Sequence, residues 1–169
     1  MESGDRQQEF SAELAAFEAC LEHSRTAPLE EAVPAEMMQV FSDDQWPELL
    51  FEFQPSLQIF TARRDVVGWY RTRDRDAQSA PPERGKERAW LVFRQVDEQL
   101  IRPLEELERS ALTLAQSGVN FAGLALQLWP RLDTAAAHHN MTELLLRWLD
   151  EGLVIDAGVP VPEDAEYAD

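Results

Sequence analysis

The spacing of apolar residues changes period several times along the chain, and each change predicts an element. Phe10, Leu14, Phe17 and Leu21 recur at three- and four-residue intervals with polar positions between them, which predicts an amphipathic helix from Phe10 to His23. Residues 1–9 ahead of it are polar and are expected to be disordered. Residues 27–34 read as a proline-bounded connection, and Pro34 at a first-turn position favours a short helix over residues 34–41. In residues 49–53 and 56–60 the period shortens to alternation. With Gln54-Pro55 between them, these runs predict one bent strand or two short ones.

Asp65 to Tyr70 can form a helical turn. Residues 71–88 then lack bulky apolar side chains and have the composition of a mobile loop, assigned to 72–87. Residues 89–94 and 99–102 flank a polar turn and predict a hairpin, with Pro103 stopping its second strand. From Leu104 the helical period returns, placing Leu104, Leu107, Ala111 and Leu114 inward and Gly118 at the C-terminal stop. Asn120 is expected to cap a helix through Leu128, and Thr134 to cap another carrying Met141, Leu144, Leu145, Trp148 and Leu149. Gly152 closes that helix ahead of a short strand, Leu153 to Ile155. Residues 158–169 read as an acidic, disordered tail.

These elements predict an α+β fold, a winged-helix-like domain with a small antiparallel sheet preceded by an N-terminal helix. At 169 residues and 44% apolar content, one recognition domain over residues 10–157 is the expected organisation. In that order the helices 120–129 and 134–151 form the helix-turn-helix pair.

Charge narrows the partners. The net charge of −17, from 32 acidic and 15 basic side chains, repels polyanions and anionic membrane surfaces. The helix pair offers Arg131 and Arg147 against Asp133, Glu143, Asp150 and Glu151, which disfavours DNA binding. Residues 62–88 depart from this trend: eight basic and five acidic side chains give them +3, against −20 for the remainder. Such a segment reads either as a dock for an acidic peptide or partner, or as a solvated loop of mixed charge.

Cys20 is the single cysteine, so no internal disulfide ties the chain to an oxidising compartment, and a cytoplasmic location is expected. No run approaches the roughly 20 apolar residues of a membrane helix. Cys20 lies beside the apolar stripe with no base placed to activate it, and reads as a core residue. His138 and His139 project about 100° apart on a helix and cannot chelate one ion from one face. No glycine-rich phosphate loop, paired-cysteine site or nucleophile elbow is present, so neither catalytic nor metal-ligating residues are assigned. Three alternatives remain open: a winged-helix transcriptional regulator, another acidic protein-interaction module, and a small enzyme using Cys20 or His138.

Several segments taken in order resemble a known family. They are residues 13–19 (ELAAFEA), 46–49 (WPEL), 53–57 (FQPSL), 65–69 (DVVGW), 90–95 (WLVFRQ), 104–108 (LEELE) and 146–153 (LRWLDEGL). Together, over roughly Phe10 to Asp156, they resemble the C-terminal domain of the partner proteins of multinuclear non-haem iron oxidases. Longer members carry an extra helical domain, and this chain is similar to the short partner type of 3-thiaglutamate biosynthesis. The resemblance implies a RiPP recognition element that binds a ribosomal precursor peptide and forms a heterodimer with a TIM-barrel oxidase. The implied reaction of the complex is modification of a peptide cysteine, up to excision of the β-carbon of a C-terminal cysteine. Iron would belong to the oxidase, leaving this chain without a cofactor. By that analogy the peptide lies between the strand Gln99, Leu100, Ile101 and Arg102 and the helix face Met141, Leu144, Leu145, Arg147 and Trp148, adding as a strand to an exposed sheet edge.

Overall fold

Two neighbouring apolar runs, interrupted only by Gln54-Pro55, end in different sheets. In the computed structural model, which describes residues 2–73 and 80–161, β1 (Leu50–Phe53) pairs antiparallel with the last strand, β5 (Val154–Gly158). β2 (Gln58–Ala62) instead joins the antiparallel sheet β2-β3-β4 with β3 (Arg88–Gln95) and β4 (Glu98–Leu104). Among the described residues the helices are α1 (Glu2–Thr26), α2 (Val66–Thr72), α3 (Glu106–Gln116), α4 (Phe121–Leu128) and α5 (Thr134–Asp150), with 3-10 turns at Ala35–Val40 and Trp46–Glu48. The class is α+β. The chain forms two compact units: Met1–Pro28 with Pro55–Glu105, and Leu29–Gln54 with Glu106–Asp169.

The first unit is built on α1. Its stripe meets the three-stranded sheet and α2, so Phe10, Phe17, Phe60, Ala62, Val66, Val67 and Val92 form a buried core flanked by Leu14, Cys20, Leu21, Trp69, Tyr70, Trp90 and Ile101. Phe17 sits 5.0 Å from Phe60 and 5.2 Å from Tyr70, the latter pair edge to face. The helix starts at Glu2, eight residues before the expected start. Glu2 and Asp5 favour its first turn, and Glu9 ties the added residues to buried Arg64 at 3.2 Å. At the other end, Arg94 donates from Nη1 to Arg25 O and from Nη2 to Ala27 O at 2.8 Å, satisfying carbonyls that the helix leaves unpaired.

The second unit surrounds α5. Met141, Leu145 and Trp148 are fully buried, and Phe53 packs edge to face on Trp148 at 5.4 Å. Glycines end two helices by the same geometry. Gly118 (φ 94°) and Gly152 (φ 71°) each take the left-handed conformation. The amide after each bonds five residues back, Val119 to Leu114 O and Leu153 to Trp148 O.

Three local expectations are corrected. β4 does not stop before Pro103 but runs through it to Leu104, because Pro103 lies on an edge strand where a missing N–H costs no ladder bond. α3 therefore starts at Glu106, and its inward positions are Glu108, Ala111, Leu112 and Ala115, while Leu107 is exposed. The cap of α5 is Asp133, whose carboxylate accepts from Ala136 N–H at 2.8 Å, and Thr134 is the first helical residue. Asn120 caps α4 as expected, accepting from Gly123 N–H at 2.9 Å. Part of the loop expected at 72–87, residues 74–79, lies outside the described residues, as do residues 162–169 of the expected tail.

Candidate functional site

β4 is an edge strand, and its ladder settles which main-chain groups face outward. Val96 and Asp97 form a two-residue turn, so the closing pair Gln95 and Glu98 is hydrogen-bonded. Alternation then commits Leu100, Arg102 and Leu104 to β3 and turns the main-chain groups of Gln99, Ile101 and Pro103 away from it. The position of Pro103 agrees, and so does Arg94, whose N–H points to the β2 side and bonds Ser56 Oγ at 3.1 Å. Among the described residues, the N–H groups of Gln99 and Ile101 have no protein partner.

The outward carbonyl of Ile101 is held by a side chain. Arg71, exposed at the end of α2, donates from Nη2 to Ile101 O at 2.9 Å, with its guanidinium carbon 5.8 Å from the Trp90 ring centroid. Two residues further, the guanidinium of Arg73, the C-cap of α2, lies 3.8 Å from the centroid of Tyr70. Among the described residues, neither arginine is paired with a carboxylate. The side chains of Gln99 and Ile101 both turn toward α1: Gln99 donates to Leu21 O at 2.7 Å and Ile101 packs on the core.

At the other sheet edges, contacts occupy groups in the strands or just beyond their ends. On β2's side, Glu13 Oε1 accepts from Arg63 N–H at 2.8 Å and Gly85 N–H bonds Arg63 O at 2.7 Å. In the second unit, Val33 N–H occupies Val154 O at 2.8 Å and Phe121 N–H occupies Leu49 O at 2.9 Å. β4, with the N–H groups of Gln99 and Ile101 turned outward, can accept another strand.

The expected site residues fall in both units. Gln99, Leu100, Ile101 and Arg102 belong to the first, all half-buried. Met141, Leu144, Leu145, Arg147 and Trp148 belong to the second. There Met141, Leu145 and Trp148 are 0% exposed and fill the core, so α5 offers Leu144 and Arg147 to its surroundings. Arg147 is itself engaged by Glu151 at 3.0 Å and Glu108 at 3.8 Å.

Reasoning from the sequence missed two features. Arg71 counted only as one charge in a basic segment, although its place directly after Trp69-Tyr70 put it at an aromatic surface. Glu108 was missed because the helix was begun two residues early; it is 4% exposed and accepts from Trp148 Nε1 at 3.0 Å.

The remaining chemistry-bearing side chains serve packing and caps. Cys20 is half-buried, and desolvation raises its thiol pKa, which opposes thiolate formation. His23 Nε2 lies 3.0 Å from Pro55 O, His138 meets Phe121 edge to face, and exposed His139 lies 3.5 Å from Glu143. Among the described residues, no three His, Cys, Asp or Glu side chains are grouped to hold a metal ion, and no helix is long and apolar enough to cross a membrane. A polar cavity of about 830 Å³ lies between the start of α1 and residues 80–84, but Arg64 at its wall is spent on Pro82 O and Glu9. No family model, curated protein or solved structure matches the chain.

Proposed function

We propose that the chain is a non-catalytic, cytoplasmic accessory subunit that binds a ribosomal precursor peptide and presents it to a multinuclear iron-dependent oxidase. The observation that carries this reading is the open edge of β4, where Gln99 and Ile101 direct main-chain groups outward in a register that a peptide strand can continue. The ordered segments from residues 13–19 to 146–153, through their resemblance to oxidase partner proteins, support as partner a TIM-barrel oxidase that holds the iron and modifies a peptide cysteine, as in 3-thiaglutamate formation. Three helices follow the three-stranded sheet in the order of a winged-helix recognition element, and that order supports the same reading.

Partition of labour follows from the chemistry. Strand addition supplies affinity through main-chain bonds that any sequence can make, so selectivity must come from side chains flanking the edge. The test is co-expression with a multinuclear iron-dependent oxidase and a short precursor peptide ending in cysteine, both sought among the neighbouring reading frames. Co-elution of all three on a sizing column is expected, with cysteine modification dependent on this chain. Separate elution of chain and oxidase under native conditions, with modification proceeding equally without the chain, would overturn the proposal.

A further inference from the structure

The charge is unevenly divided between the two units. The first holds 12 of the 15 basic residues against 14 acidic ones, whereas the second holds 3 against 18. Within the first unit, Arg71 is parked on a neutral carbonyl at the sheet edge, with a guanidinium that has five N–H donors.

We infer that the β4 edge selects an extended peptide with an acidic side chain opposite Ile101, and that Arg71 is the residue that reads it. This deepens the proposed function and rests on it. An incoming antiparallel strand places one residue directly opposite Ile101 and exchanges both N–H···O bonds with it, because Ile101 faces outward with both groups. Its side chain at that position then lies on the same sheet face as the Ile101 side chain, the face on which α2 carries Arg71. The positions two residues to either side, opposite Gln99 and Pro103, share that face.

Ile101 O is the group the peptide N–H needs, and Arg71 holds it in the free protein. Binding therefore exchanges partners: the carbonyl passes to the peptide N–H, and the released guanidinium takes the peptide carboxylate. A charge-assisted bond to carboxylate is roughly twice as strong as one to a neutral acceptor, so an acidic peptide favours the exchange. A peptide with an amide there offers no such return. Trp90 keeps the guanidinium over the edge by its ring face and thereby limits the reach to nearby carboxylates. Arg73 stands on the same helix end over Tyr70 and adds to the positive field.

The test uses the full chain, isotope-labelled, and short capped peptides of alternating threonine and one variable residue, glutamate, glutamine or lysine. Wild-type protein should bind the glutamate peptide about tenfold more tightly than the glutamine one at low salt, with the difference shrinking as salt rises. Amide shifts should centre on Gln99 and Ile101. Arg71→Gln should erase the preference, and Arg71→Glu should transfer it to the lysine peptide; because Arg71 is exposed, both variants should keep the wild-type circular dichroism spectrum. Equal binding of the three peptides with shifts still centred on β4 overturns the role of Arg71 while leaving the edge-binding reading intact. No shift at β4 with any peptide up to about 1 mM overturns both. Concentration-dependent self-association through β4 would identify a second copy as the occupant and likewise overturn the inference.

Discussion

Replacing Glu108 tests whether a buried carboxylate organises the second unit. Its Oε1 accepts from Trp148 Nε1 at 3.0 Å, with Glu108 4% and Trp148 0% exposed. Glu108→Ala leaves that indole N–H buried without its acceptor, which costs about 1–3 kcal/mol. It also removes one buried methylene, about 0.8 kcal/mol. Arg147 lies 3.8 Å from Oε2 but is 54% exposed, so its loss contributes under about 1 kcal/mol. The expected loss is therefore about 2–4 kcal/mol. Glu108→Gln keeps an acceptor of nearly the same shape and should stay within about 1 kcal/mol of wild type. Urea unfolding followed by circular dichroism gives the global values. Hydrogen exchange at α3 and α5 amides gives the local ones, which matters in a chain of two units. A Trp148→Phe cycle should return a coupling of about 1–3 kcal/mol. Equal stabilities for the Ala and Gln variants would refute the account, because they differ chiefly in the acceptor.

Further outcomes follow from single residues. Val96 is a β-branched residue at φ 52° and 68% exposed, so Val96→Asn should raise stability by about 1 kcal/mol, seen as a higher urea midpoint with unchanged slope; an unchanged midpoint would exclude strain at the turn. Gly152→Ala should cost about 1–2 kcal/mol from the left-handed backbone alone, since the added Cβ meets Ala32 Cβ at an ordinary 3.6 Å; wild-type stability would count against that cause. The raised pKa of Cys20 means the fold favours the neutral thiol. That contribution is complete below the unfolded thiol pKa and is lost as pH rises through the folded one. Alkylation at pH 8 should therefore lag behind that of the urea-unfolded chain, and the stability of wild type relative to Cys20→Ala should fall in alkaline buffer.

Much of the local structure was legible because it depends on near neighbours. The stripe Phe10, Leu14, Phe17 and Leu21, the cap Asn120, and the stops Gly118 and Gly152 each work through bonds or contacts within about one helical turn. Pro103 carried more information than it was credited with. A proline in a strand marks an edge with its nitrogen turned outward, and this would have placed β4 at the edge and given its register.

Pairing over long range was not legible. Nothing in residues 49–60 tells β1 to join β5 while β2 joins β3, because alternation specifies a face and not a neighbour. Among the candidate residues, an apolar stripe reads the same whether it fills a core or greets a peptide, and only packing assigned Met141, Leu145 and Trp148 to the core. Burial of Glu108 likewise required an indole N–H brought 40 positions along the chain to its carboxylate. The sequence by itself determined the helices, their stops, the hairpin and the acidic balance, through short-range geometry and summed charge. Tertiary structure alone decided the strand partners and the seat of Arg71 on Ile101, because both depend on which distant segments are brought together.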